Sequence, residues 1–199
     1  MLGDPNPEDH RNMSVIHESK RLLLRTFDLR DAEALFDLDS DPEVLRYLGT
    51  VHPSSVELYR TWIVDRAQRY DTLNRRLGFW AAIEKDTQRF VGWFHLRPAL
   101  DYTFALDTHY RERDVDLGYR LRRDMWGRGY ATEVSTVLIE HAFKDAMIER
   151  VVACALLTNK ASVRVLEKVG LTEIERVTLP GYDTPAGVFA IFPTPRILV

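Results

Sequence analysis

The chain has 199 residues, 45% of them hydrophobic, which suits one domain with a substantial core. Its 27 basic and 30 acidic residues leave a net charge of -3, which gives no overall pull toward nucleic acid or an anionic membrane. A single cysteine, Cys154, excludes an internal disulfide; it lies in the apolar run 151–157, where a small buried hydrophobe is expected rather than a reactive thiol.

Residues 1–19 carry Pro5, Pro7 and scattered charges with little to bury, and read as a loose, flexible arm ahead of a domain over residues 20–199. The polar start does not resemble a signal peptide, and no run approaches the ~18 apolar residues of a membrane span, so a cytoplasmic location is expected. Residues 21–27 read as a strand. Asp28 or Asp31 is placed to cap a helix with Ala34, Leu35 and Leu38 on its inner face. A short helix is expected over 42–48, with Pro42 in its first turn. Ser54 or Ser55 opens a longer one, in which Val56, Tyr59, Ile63, Ala67 and Tyr70 recur at helical spacing. Residues 77–84 and 89–96 are strand-like and joined by a turn at 85–88, and residues 98–111 read as a loop. A strand over 115–121 precedes a helix over 130–143, with Val134, Val137, Leu138 and Ala142 inward. An apolar, β-branched run over 150–157 reads as a buried strand. A helix over 160–169 closes on Gly170, and strands near 171–177 and 187–192 finish the chain. This order predicts an α/β fold: a single mixed, mostly antiparallel central sheet flanked by helices.

The strongest chemical signal lies between the strand at 115–121 and the helix at 130. There Trp126, Gly127, Arg128, Gly129, Tyr130, Ala131 and Thr132 follow one another. The first amides of a helix have no partner within it, and the helix dipole places partial positive charge there. Glycine lets the backbone approach an anion closely, so this loop is a candidate pyrophosphate cradle. Thr132 adds a hydroxyl, and Arg122, Arg123 and Arg128 add charge. The glycine spacing matches neither the nucleoside-triphosphate loop nor the dinucleotide fingerprint.

The loop resembles the acetyl-coenzyme A loop of the GNAT superfamily of N-acetyltransferases, which reads Gln/Arg-x-x-Gly-x-Gly/Ala. Gly129 and Ala131 fill its last two fixed positions. Trp126 departs from the usual glutamine or arginine, but Trp-Gly-x-Gly-Tyr-Ala-Thr-Glu is similar to the branch that acetylates ribosomal-protein N-termini. The run from Asn159 through Ser162 to Gly170-Leu171 resembles the family's second motif. The segments 21–31 and 41–44 resemble the branch's opening strand and helix, so the similarity spans roughly residues 20–178.

The resemblance implies acetyl-coenzyme A as co-substrate, no metal, and direct transfer to a primary amine. The amine would be a protein N-terminal α-amine or a small molecule such as an aminoglycoside or polyamine, and a homodimer is left open. A non-catalytic acyl-coenzyme A binding module is the alternative of another class. By position, the backbones of Tyr119 and Leu121 would hold the pantetheine arm, with Asn159 beside it. Direct transfer also needs a proton acceptor and a partner for the departing thiolate. Asp116, sharing a strand face with Gly118 and Arg120, is the first choice of base, with His95 in reserve. The family's thiolate-side tyrosine, seven residues after the motif asparagine, is Leu166 here. Ser162 is therefore expected to stabilise the thiolate.

Overall fold

The computed structural model describes residues 14–49, 55–71 and 76–194. An eight-stranded sheet runs in the order β1-β2-β3-β4-β5-β6-β8-β7. Its strands are β1 (Val15–Glu18), β2 (Leu22–Arg25), β3 (Gly78–Glu84), β4 (Phe90–Pro98), β5 (Asp114–Leu121), β6 (Arg150–Leu156), β7 (Thr172–Val177) and β8 (Ala186–Ile191). Every neighbouring pair is antiparallel except β5 and β6. That one parallel pair needs a crossover, which α4 (Tyr130–Ala142) supplies. The other helices are α1 (Asp31–Ser40), α2 (Pro42–Leu45), α3 (Val56–Asp71) and α5 (Lys160–Lys168). The expected mixed, mostly antiparallel sheet between helices is what forms.

The central strands are buried on both faces, which is why β3 and β6 read as continuous apolar runs. On one face α4 and α5 pack over Phe94, Leu96, Val115, Leu117, Leu121, Val151 and Ala153, with Val134 and Leu138 of α4 fully enclosed. On the other, α1 and α3 bring Leu35 and Ile63 against Trp93, and the segment after β4 brings Tyr102 and Tyr110 over Val152.

Several local expectations are corrected. The chain at 15–18 is not a loose arm but an edge strand paired with β2, in which His17 stacks edge-on against Trp80 at 4.7 Å; residues 1–13 lie outside the described residues. Neither Asp28 nor Asp31 caps α1 through the expected N-cap position, which Arg30 holds. Asp31 is instead the first helical residue, and its carboxylate accepts a bidentate pair from Arg25 at 2.6 and 2.7 Å and the amide of Asp28 at 2.7 Å. The helix at Pro42 stops at Leu45, with Asp41 as its cap. Of the two serines expected to open α3, Ser54 lies outside the described residues and Ser55 stands immediately before the helix.

The β5–β6 pair governs the site. Its register covers Asp114↔Arg150, Val115↔Val151 and Asp116↔Val152, and nothing beyond. The Arg150 guanidinium clasps the Asp114 carboxylate bidentately, Nε to Oδ1 and Nη2 to Oδ2, both at 2.7 Å, with side-chain exposures of 7% and 0%. Asp114 also accepts the amide of Arg111 at 2.7 Å, so its carboxylate is well satisfied. Removing one partner of such a buried pair leaves an uncompensated charge. Arg150→Met is therefore expected to lower unfolding free energy by about 3–5 kcal/mol in urea titrations; an unchanged midpoint would show that the clasp does not hold the strands.

Candidate functional site

Beyond Asp116, β5 remains paired with β4, Phe94 facing Tyr119 and Gly92 facing Leu121, while β6 pairs with β8. The two strands thus part along one edge of residues 117–121. A parallel ladder that stops after three pairs leaves a wedge between β5 and β6, and the three parts of the site surround it.

The first part is the glycine loop. After β5 a single turn of 3-10 helix at 123–125 leads to Trp126, and α4 starts at Tyr130. Gly127 and Gly129 have φ of 72° and 81°, a left-handed conformation that side chains disfavour. Their outer surface is bare: a Cβ added at Gly127 would meet nothing within 4 Å, and one at Gly129 only Arg21 Nη2 at 3.6 Å. The amides of Tyr130, Ala131 and Thr132 precede the first intrahelical bond, donated by Glu133 to the Gly129 carbonyl at 3.0 Å. Open backbone, unpaired amides and the positive end of a thirteen-residue helix together fit a diphosphate.

The loop is braced from behind. Arg21 donates to the Arg128 carbonyl at 2.9 Å and to Glu133 at 2.7 Å, and its guanidinium lies 4.4 Å from the centre of the Tyr130 ring. Tyr130 turns inward and donates its hydroxyl to Glu84, so only its amide faces the loop. Trp126 is half exposed, and its indole N–H donates to the Leu121 carbonyl at 2.8 Å. That bond engages the Leu121 oxygen, leaving this residue its amide as the backbone group to hold a pantetheine arm as expected.

The second part lies on the sheet face covered by α1 and α3. Asp116 is buried and accepts from His95 Nε2 at 3.0 Å and Arg97 Nε at 2.8 Å. It does not pair with Arg120, which shares its strand face; Arg120 instead reaches Asp39 at 2.5 Å. Burial pushes the Asp116 carboxyl up, but the His95 hydrogen bond and the Arg97 charge outweigh it and hold it below the usual range. Burial pushes the His95 imidazole down, more than the bond to Asp116 raises it. The pair is therefore carboxylate and neutral imidazole. With Nε2–H donating to Asp116, Nδ1 carries the lone pair; it is buried and has no hydrogen-bond partner among the described residues. Gly118 makes this possible: a Cβ there would lie 2.4 Å from His95 Cε1.

The third part faces α4 and α5. Asn159 caps α5, accepting the Ser162 amide on Oδ1 at 3.2 Å. Ser162, in the first turn, lies across the wedge from β5, and its Oγ is 3.2 Å from the Tyr119 hydroxyl. Sequence reasoning assigned Tyr119 its backbone alone. The signal that would have found its side chain is the strand alternation that puts Tyr119 and Leu121 on the face opposite Asp116 and Gly118. Leu166 is packed in the core. Cys154 is half-buried and its thiol is pushed up to about 12 by burial, so it stays protonated. Among the described residues no group of three or more His, Cys, Asp and Glu could hold a metal ion, and no helix is long and apolar enough to cross a membrane.

Comparisons with known proteins give the family and the fold. Residues 21–172 match the acetyltransferase (GNAT) domain family. The N-acetyltransferase YoaA of Bacillus subtilis strain 168, itself uncharacterised, is 30% identical over 158 residues, covering 79% of this chain and 83% of YoaA. A GNAT-family acetyltransferase structure from Bacillus anthracis superposes with a TM-score of 0.72 at 21% identity, covering 88% of this chain and 96% of that one. RimL, the ribosomal L7/L12 α-N-protein acetyltransferase, in complex with coenzyme A, superposes with a TM-score of 0.70 at 17% identity, covering 90% and 98%.

The His95–Gly118 contact yields a direct test. Gly118→Ala puts a methyl group into the imidazole, and an overpacked core position typically loses about 1–3 kcal/mol. The expected result is that loss together with a displaced His95 ring nitrogen resonance; a variant with unchanged stability and an unmoved resonance would contradict the contact.

Proposed function

The chain belongs to the GNAT acetyltransferase family, and from that premise we propose that it moves an acetyl group from acetyl-coenzyme A to a primary amine by direct transfer. The observation that carries the reading is the open backbone at Gly127 and Gly129 leading into the first amides of α4, together with the place where β5 and β6 part. The diphosphate sits on the α4 amides, and the pantetheine arm lies along the unpaired edge of β5 at Tyr119 and Leu121, toward Asn159. The thioester then reaches the wedge, between the His95–Asp116 pair on one face and Ser162 on the other.

Reaction requires a neutral amine. The amine nitrogen attacks the thioester carbon, the C–N bond forms, the C–S bond breaks, and the nitrogen gives up a proton. His95 Nδ1, buried and without a hydrogen-bond partner among the described residues, takes that proton through a water that enters beside its ring. Asp116 holds the Nε2–H and steadies the charge His95 gains. Asp116 is thus read as a positioning residue, its Oδ2 accepting from both Arg97 and His95.

For the acceptor we keep the class of primary amine, with a protein N-terminal α-amine first. The support is the Trp-Gly-x-Gly-Tyr-Ala-Thr-Glu run and the fold shared with RimL. Thioester consumption with a short peptide bearing a free N-terminus, a polyamine and an aminoglycoside separates the choices; no turnover with any of them would favour an acyl-coenzyme A binding module.

Gly129→Asp sets a carboxylate against the phosphates and is expected to abolish acetyl-coenzyme A binding in calorimetry, while unchanged affinity would remove the loop from the site. Replacing His95 by alanine is expected to reduce turnover about 100-fold or more with little change in cofactor affinity. If Asp116→Asn stops turnover and His95→Ala does not, Asp116 is the base instead.

A further inference from the structure

Ser162 alone is a weak answer to the leaving thiolate. An aliphatic hydroxyl is a poor acid, and one free to rotate has no fixed direction in which to offer its proton. Leu166, where a tyrosine would otherwise stand, is a buried hydrocarbon, 2% exposed. The structure brings a phenol to Ser162 from the other side of the wedge. Tyr119 projects from β5 toward α5, its ring 5.7 Å from that of Phe94, and its hydroxyl lies 3.2 Å from Ser162 Oγ.

We propose that Tyr119 is the positioning residue for the departing thiolate: its hydroxyl donates to Ser162 Oγ and so aims the Ser162 O–H at the sulfur. The proposal rests on the acetyl-coenzyme A reading of the loop and goes beyond it by naming what controls Ser162.

The direction of the bond follows from acidity. A phenol is a far stronger donor than an alkyl alcohol, so of two hydroxyls facing each other the phenol gives and the serine accepts. Ser162 Oγ is then fixed by the Tyr119 bond, and its backbone amide is fixed by Asn159. With the oxygen's accepting side turned to β5, its own hydrogen points away from Tyr119, into the wedge. A donor chain of this kind also polarises: the serine O–H that accepts from a phenol becomes a better donor.

The pair does not deliver a proton outright. Burial pushes the Tyr119 phenol up to about 12, against a smaller lowering by Ser162, so Tyr119 keeps its hydrogen. When the C–S bond breaks, the electron pair leaves with sulfur, the new thiolate accepts the Ser162 hydrogen bond, and it takes a proton from solvent afterwards. The amine's proton departs on the opposite sheet face, through His95. The two events are thus separated by the thickness of β5.

The other meaning of the 3.2 Å contact is a latch that merely ties β5 to α5 across the wedge. The two make different kinetic predictions. Tyr119→Phe removes one oxygen and leaves the ring. If Tyr119 aims Ser162, single-turnover acetyl transfer to the best amine of the panel falls about tenfold, the scale of one hydrogen bond, while the acetyl-coenzyme A dissociation constant stays unchanged. The deficit is larger with the oxygen-ester analogue of acetyl-coenzyme A, whose leaving group is more basic and leans harder on a donor. It vanishes in a Ser162→Ala background, because the two hydroxyls act as one unit.

A latch gives the reverse: affinity and thermal midpoint change, and the rate penalty is indifferent to the leaving group. That pattern overturns the proposal, as does a Tyr119→Phe deficit that multiplies with that of Ser162→Ala. Absence of acetyl-coenzyme A binding by the unaltered protein would overturn the reading of the loop, and the Tyr119 role with it; intact binding and turnover with an indifferent Tyr119→Phe overturns the Tyr119 role alone.

Discussion

The Arg150–Asp114 clasp holds β6 against β5 at one end only. Two parallel strands tied at the base and drawn into different ladders above it must diverge. Here β5 stays with β4 through Leu121, and β6 follows β8 through Leu156. Closing the wedge with further backbone pairing would seal the place where a narrow chain can lie along a strand edge. The clasp itself is deeply buried, a poor way to gain stability compared with apolar packing, because both charges lose water. It lies at the first of the three pairs, at the end of the ladder away from the wedge.

The wedge sorts the chemistry by sheet face. Strand alternation sends Asp116, Gly118 and Arg120 one way and Leu117, Tyr119 and Leu121 the other. The first face is polar and enclosed: His95 is neutral, Asp116 is charged, and Arg97 balances it. The second brings together two uncharged hydroxyls, Tyr119 and Ser162. In the proposed reaction, a strand's thickness separates the His95 side from the Ser162 side. The glycine loop stands at the end of the wedge, and its brace of Arg21, Glu133 and Glu84 reaches back to β2 and β3. The proposed diphosphate site is thereby tied to the same sheet that carries the proposed reacting groups.

Much of this was legible because the signals are local. The helix start at Tyr130, the glycines before it and the Asn159 cap are each decided by neighbours in sequence, and they appear within a residue or two of expectation. What could not be read depends on partners far along the chain. The pairing of Asp116 with His95 spans 21 positions and that of Tyr119 with Ser162 spans 43. Arg120 shares a strand face with Asp116, but Asp39 on α1, 81 positions away, claims that guanidinium. The edge strand at Val15 was missed for a related reason: a four-residue strand carrying two polar side chains shows its period only against β2.

The central claim is that one ligand spans the α4 amides and the unpaired edge of β5. Amide nitrogen–proton NMR spectra recorded while coenzyme A is added test it most directly. The account predicts that the amides of residues 127–132 and of Tyr119 shift together, saturating at one ligand concentration, while those of β1 and β7 at the sheet's outer edges stay put. Shifts confined to a surface elsewhere, or to residues 127–132 with Tyr119 unmoved, would contradict it.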